Sequence, residues 1–83
     1  MAEKEIGKVM AYFSKVEVAA ITLSDSLKVG DRIHIKGANT DFEQEVESMQ
    51  VNRAEITEAN AGDEVGIKVK DKVRPNNIVY LVE

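Results

Sequence analysis

The 83-residue chain is 43% hydrophobic and 31% charged, a balance that suits one small folded domain and excludes a disordered polar tail. Asp and Glu outnumber Lys and Arg by 15 to 11, for a formal net charge of −4. This excludes a nucleic-acid binder that acts through overall charge, so any phosphate contact has to come from a local patch. The absence of cysteine excludes disulfides, thiolate metal sites and cysteine nucleophiles, and it suits a reducing compartment.

The opening Met-Ala-Glu-Lys-Glu has no basic region followed by an apolar run, so no secretory signal is expected. The longest apolar-rich stretch, Val16 to Leu23, is interrupted by Glu17 and Thr22 and is too short to span a bilayer. The expectation is a soluble, cytoplasmic, free-standing chain without membrane contact.

The first predicted strand runs from Ile6 to Phe13, around Val9, Met10 and Tyr12. The second, Lys15 to Leu23, holds Val16, Val18 and Ala20 in one phase and Ile21 and Leu23 in the other, which predicts a bulge or a bend. In the third, Asp31 to Lys36, Ile33 and Ile35 alternate with Arg32, His34 and Lys36. The fourth, Phe42 to Arg53, sets Phe42 and Val46 against Glu43, Glu45 and Glu47, then changes phase at Met49 and Val51. The fifth alternates Val65, Ile67 and Val69 with Gly66, Lys68 and Lys70. The last, Ile78 to Val82, is almost wholly apolar, as a strand covered on both faces would be.

Between these runs lie polar turns. Val29-Gly30-Asp31 and Ala61-Gly62-Asp63 put glycine where positive φ is cheap, and Asp31 can accept from local backbone donors in its turn. Pro75 precedes the last strand, where it breaks no ladder. Six short strands and little or no helix predict an all-β fold, a small antiparallel six-stranded barrel forming a single domain over residues 1–83.

Leu27 to Gly37 (Leu-Lys-Val-Gly-Asp-Arg-Ile-His-Ile-Lys-Gly) resembles a turn and strand of the β-barrel second domain of translation elongation factors such as elongation factor Tu. Val46 to Gln50, Ala59 to Val69 and the opening Ile6-Gly7-Lys8-Val9 extend the resemblance over nearly the whole chain. It implies a translation-factor barrel acting as a non-catalytic binding module for RNA, the ribosome or a translation protein. The phosphate-binding Gly-x-x-x-x-Gly-Lys-Ser/Thr loop of those factors is missing, so GTP binding and hydrolysis are not expected. Gly30, Asp31, Gly62 and Gly66 read as structural turn and strand positions. A similar barrel also forms the C-terminal domain of some collagenase-like peptidases, and Val29-Gly30-Asp31 fits that relative too. The alternative is therefore an accessory subunit of such an enzyme, associating through an apolar strand edge.

No catalytic set stands out. His34 is the single histidine, expected on the outer strand face, and Ser24, Ser26 and Ser48 lack a nucleophile motif. Glu43, Glu45 and Glu47 read as a solvated face that discourages aggregation. The predicted binding residues are Lys68, Lys70, Lys72 and Arg74. The resemblance to elongation factor Tu adds a basic position at Lys70, near the acceptor end of aminoacyl-tRNA in that family, although this loop is shorter and Asp71 stands where the family commonly has Gly. Tyr12, Phe13, Phe42 and Tyr80 fall in apolar runs and are expected in the core, not on a stacking platform. No cofactor or metal is expected, and the sequence leaves the oligomeric state open.

Overall fold

The computed structural model describes residues 3–82. They form ten strands and, among the described residues, no helix. No helix is therefore long and apolar enough to cross a membrane. The strands are β1 (Glu3–Phe13), β2 (Val18–Leu23), β3 (Leu27–Lys28), β4 (Arg32–Gly37), β5 (Thr40–Glu45), β6 (Met49–Val51), β7 (Ala54–Ile56), β8 (Glu58–Ala59), β9 (Glu64–Lys68) and β10 (Ile78–Val82).

Eight strands make one antiparallel sheet in the order β5-β4-β10-β1-β2-β9-β6-β7, and β3 pairs with β8 as a separate ribbon. The all-β expectation holds. The six-strand count does not, because β3, β7 and β8 have two or three residues each, too few to show an alternation. The ladder is also open, ending at β5 and β7, where a closed barrel would leave no edge.

The predicted Phe42 to Arg53 strand is two strands. Between them the Val46 amide donates to Asp31 O (2.8 Å) and its carbonyl accepts from Gly30 N (2.9 Å), which draws the chain out of the ladder. The bulge predicted in the second run is absent: β2 alternates cleanly, with Ala19, Ile21 and Leu23 inward. The irregularities fall in β1, between Glu5 and Gly7 against β10 and between Val9 and Ala11 against β2. These two slips let one eleven-residue strand bend around the core while pairing on both sides.

The core gathers the inward phase of every long strand. Ile6, Val9, Ile21, Ile33, Ile35, Ile67 and Val79 are fully enclosed, and Val65 and Val69 are nearly so. At about 1.5–3 kcal/mol for each enclosed aliphatic side chain, this set supplies the main folding term. Tyr12 and Phe42, expected in the core, pack only at its margin, and Tyr80 faces outward beside His34 with Lys36 over its ring. Phe13, also expected in the core, is 54% exposed, because it ends β1 at the tip of the β1–β2 hairpin, beyond the reach of the core.

The two Gly-Asp turns are built alike. In Lys28–Asp31 and in Asn60–Asp63 the fourth residue's amide donates to the first residue's carbonyl at 3.1 Å. The glycine in third place has φ of +100° (Gly30) or +92° (Gly62), as a type II turn requires. The closing aspartate then accepts from the first residue's amide: Lys28 N to Asp31 Oδ2 at 3.1 Å, and Asn60 N to Asp63 Oδ2 at 2.9 Å.

Candidate functional site

Two features stand out on the surface, a charged cluster on β4 and an exposed apolar hairpin. The cluster starts from alternation. With Ile33 and Ile35 inward, His34 faces outward, opposite Tyr80 of β10 on one side and Glu43 of β5 on the other. It is nevertheless only 9% exposed, against the expectation of a surface histidine. Its Nδ1 lies 2.6 Å from Glu3 Oε2, and its Nε2 is bonded to Asp41 Oδ1.

Two carboxylate acceptors call for two N–H donors, so this geometry holds the ring as imidazolium. The Asp41 bond, assisted by Glu3, raises the His34 pKa above its ordinary value against the opposing effect of burial. The same bonds to His34 lower the pKa of both Asp41 and Glu3. Around this centre Lys36 Nζ stands 3.6 Å from Glu3 Oε1 and 5.5 Å from the centre of the Tyr80 ring. Arg32 Nε donates to Glu43 Oε1 at 3.0 Å. One donor atom from each of Glu3, His34 and Glu43 lies within 4.8 Å of the other two.

Sequence reasoning missed this cluster. Glu3 and His34 are 31 residues apart and meet only across β10. The His34–Asp41 contact was in principle legible, since a two-residue hairpin loop between Gly37 and Thr40 puts both on one face.

The predicted basic residues leave the strand partway along: Lys70 and Lys72 border one hollow, and Lys68 lies by another. Lys68, Lys70, Lys72 and Arg74 are all exposed; the strand ends at Lys68, and alternation of burial runs on only to Lys70, since Asp71 and Lys72 are both exposed. Beyond the strand Val69 and Val73 anchor the loop by burial. Lys72 and Arg74 line an open groove of 610 Å³ with Tyr12 and Phe42, where Asp41 and Asp71 offset their charge. Lys68 borders a different hollow, beside Val18, Gln50 and Gly66. A Cβ at Gly66 would come within 3.2 Å of Val18 Cγ1 and 3.3 Å of Gln50 Cγ, so neighbouring side chains already crowd the outer-face space that the glycine leaves.

The apolar hairpin joins β1 to β2. Met10, Phe13 and Val16 are 54%, 54% and 59% exposed. Phe13 and Val16 line an open hollow of 510 Å³ together with Val18, Ala20, Gly66, Arg53 and Glu64.

Fold and surface together define a small open-sheet β domain that carries an exposed apolar hairpin. Its fold is that of the C-terminal domain of a candidate U32 peptidase from Geobacillus thermoleovorans. Two crystal structures of that domain match with TM-scores of 0.90 and 0.87, over 96% and 92% of this chain and 93% and 96% of theirs, at 22% and 23% identity. By sequence, the chain is 42% identical over 80 residues to an uncharacterized protease of Methanocaldococcus jannaschii, covering 95% of this chain and 20% of the protease. It is 36% identical over 77 residues to a collagenase of Porphyromonas gingivalis, covering 90% of this chain and 21% of the collagenase. The chain thus spans about one fifth of the length of the curated relatives it matches. No protein-family profile matches it.

These matches overturn the resemblance to the second domain of elongation factor Tu and the function drawn from it, since the relatives aligned along nearly the whole chain are a protease and a collagenase. Two of the motifs behind that resemblance centre on type II turns with aspartate caps, a backbone device that marks a fold and not a function.

Proposed function

We propose that this chain is a non-catalytic docking domain of a collagenase-like peptidase, whether in the same polypeptide or as a separate subunit. The observation that carries this reading is the alignment of 95% of the chain with one fifth of a protease, which leaves four fifths of that relative to hold the catalytic machinery. The exposed Met10, Phe13 and Val16 suit the role, because apolar area of this kind is stabilised by a partner surface. On this reading the open sheet works as a barrel-like scaffold, supported by the bridge Gln44 makes from β5 to the end of β9. The cytoplasmic expectation is kept and rests on the sequence.

The test mixes the purified chain with the catalytic region of a collagenase-like peptidase from the same organism and measures association at low and high salt. Apolar docking survives high salt, and Phe13→Asp with Val16→Asp weakens it at least tenfold. Absence of association, or association abolished by salt, would refute the proposal.

A further inference from the structure

We propose that Glu3, His34 and Glu43 form a binding site for a zinc-like divalent transition metal on the outer face of the sheet. The donor set is one imidazole nitrogen and two carboxylate oxygens, each within 4.8 Å of the others. Ligation at about 2.0–2.2 Å brings such donors somewhat closer together, within reach of side-chain rotation by the two glutamates. This mixed set suits zinc, cobalt or nickel; calcium takes six to eight oxygens.

Three features prepare the site. His34 is only 9% exposed, so its ring has little freedom to turn away. Asp41 holds Nε2, on the far side of the ring, which orients the imidazole and leaves Nδ1 directed at Glu3, the usual outer arrangement of a metal-bound histidine. Lys36 and Arg32 each engage an Oε1 atom, on Glu3 and Glu43 respectively, and position the two carboxylates. Glu5, opposite Tyr80, and Glu45, opposite Arg32, add negative charge nearby. The metal takes the place of the Nδ1 proton: one N–metal and two O–metal bonds form, and that proton passes to solvent.

The test is titration calorimetry of chelator-stripped protein with zinc chloride, in two buffers of different ionisation heat, alongside cobalt chloride followed by visible absorption. The expected result is saturable binding of one ion per chain, with buffer-dependent heat that reports the released proton. His34→Gln and Glu43→Gln should each abolish saturation, and Asp41→Asn should weaken binding about 10–100-fold. Circular dichroism confirms that each variant is folded. Glu43 is exposed, so Glu43→Gln remains informative if His34→Gln unfolds. No saturable binding to the wild-type chain at millimolar metal, or equal binding by folded Glu43→Gln, would overturn the site.

Discussion

Gln44 and Lys70 are joined across the open edge of the sheet: the Lys70 amide donates to Gln44 Oε1 at 2.7 Å, while Gln44 Nε2 donates to Lys68 O at 2.8 Å. One side chain on edge strand β5 thereby occupies the backbone groups that β9 leaves unpaired as it ends. Gln44 is 3% exposed, so water does not replace these bonds readily when they are lost. Gln44→Ala should cost about 1–3 kcal/mol, the penalty for unsatisfied buried backbone groups, measured by urea denaturation. A loss no larger than that of an exposed control such as Glu47→Ala would show that the seam is held by packing alone.

Gly37 and Asn77 form a second tight pair. A Cβ at Gly37 would lie 1.9 Å from Asn77 Oδ1 and 2.5 Å from its Cγ, and Asn77 is 6% exposed. Gly37→Ala should therefore destabilise the fold by about 1–3 kcal/mol through overpacking. Among the described residues Asn77 Nδ2 is buried without a hydrogen-bond partner, so Asn77→Ala should be mild. The double variant should recover most of the loss, and a double-mutant cycle by thermal or urea denaturation measures that coupling. Strict additivity would show that Asn77 moves aside without cost.

The two type II turns predict a matched pair of effects. Alanine at Gly30 or Gly62 meets no atom within 4 Å, so the cost is conformational only, from φ of +100° and +92°. Each substitution should cost about 1–3 kcal/mol, the range for a non-glycine residue held in a sparsely populated region. Asn at either position should be better tolerated than Ala. Equal stability of the Ala and Asn variants in urea would indicate that the turn adopts another geometry.

The His34 cluster predicts a stability optimum with two flanks in chelator-treated protein. The His34 pKa is raised, so its contribution is complete below the unfolded histidine value and is lost as pH rises through the higher folded value. The Asp41 and Glu3 pKa values are lowered, so their contribution is present above ordinary carboxylate values and is lost as pH falls through the lower folded ones. Stability of the wild type minus that of His34→Gln, from denaturation across about pH 2 to 9, should peak in mildly acidic solution and decline on both sides. A flat difference would mean that the two carboxylates do not hold the ring charged.

Much of the fold was legible because strand alternation and turn chemistry are local. Ile33 and Ile35, and Val65, Ile67 and Val69, were assigned inward from a period of two, and they are buried. Gly30 and Gly62 were assigned positive φ from the demands of the turn, and they have it. The β1 bulges were misplaced into the second run because its apolar residues occupy both phases, and composition does not say which phase faces inward. The candidate site was less legible. A basic spacing at Lys68, Lys70 and Lys72 suggests a row only while the chain alternates, and alternation stops at Lys70, with Asp71 and Lys72 both exposed.

The sequence by itself determined the all-β class, the inward residues Ile33, Ile35, Val65, Ile67 and Val69, and the two glycine turns with their positive φ, since each depends on residues within a few positions of one another. Only the tertiary structure decided that His34 is enclosed, that Phe13 is exposed and that Gln44 closes a seam. Those outcomes depend on which side chains the strand register brings alongside, as with Glu3 and His34 at a separation of 31 residues and Gln44 and Lys70 at 26. Burial of a polar group is set by the partners that meet it in space, and local spacing carries no record of them.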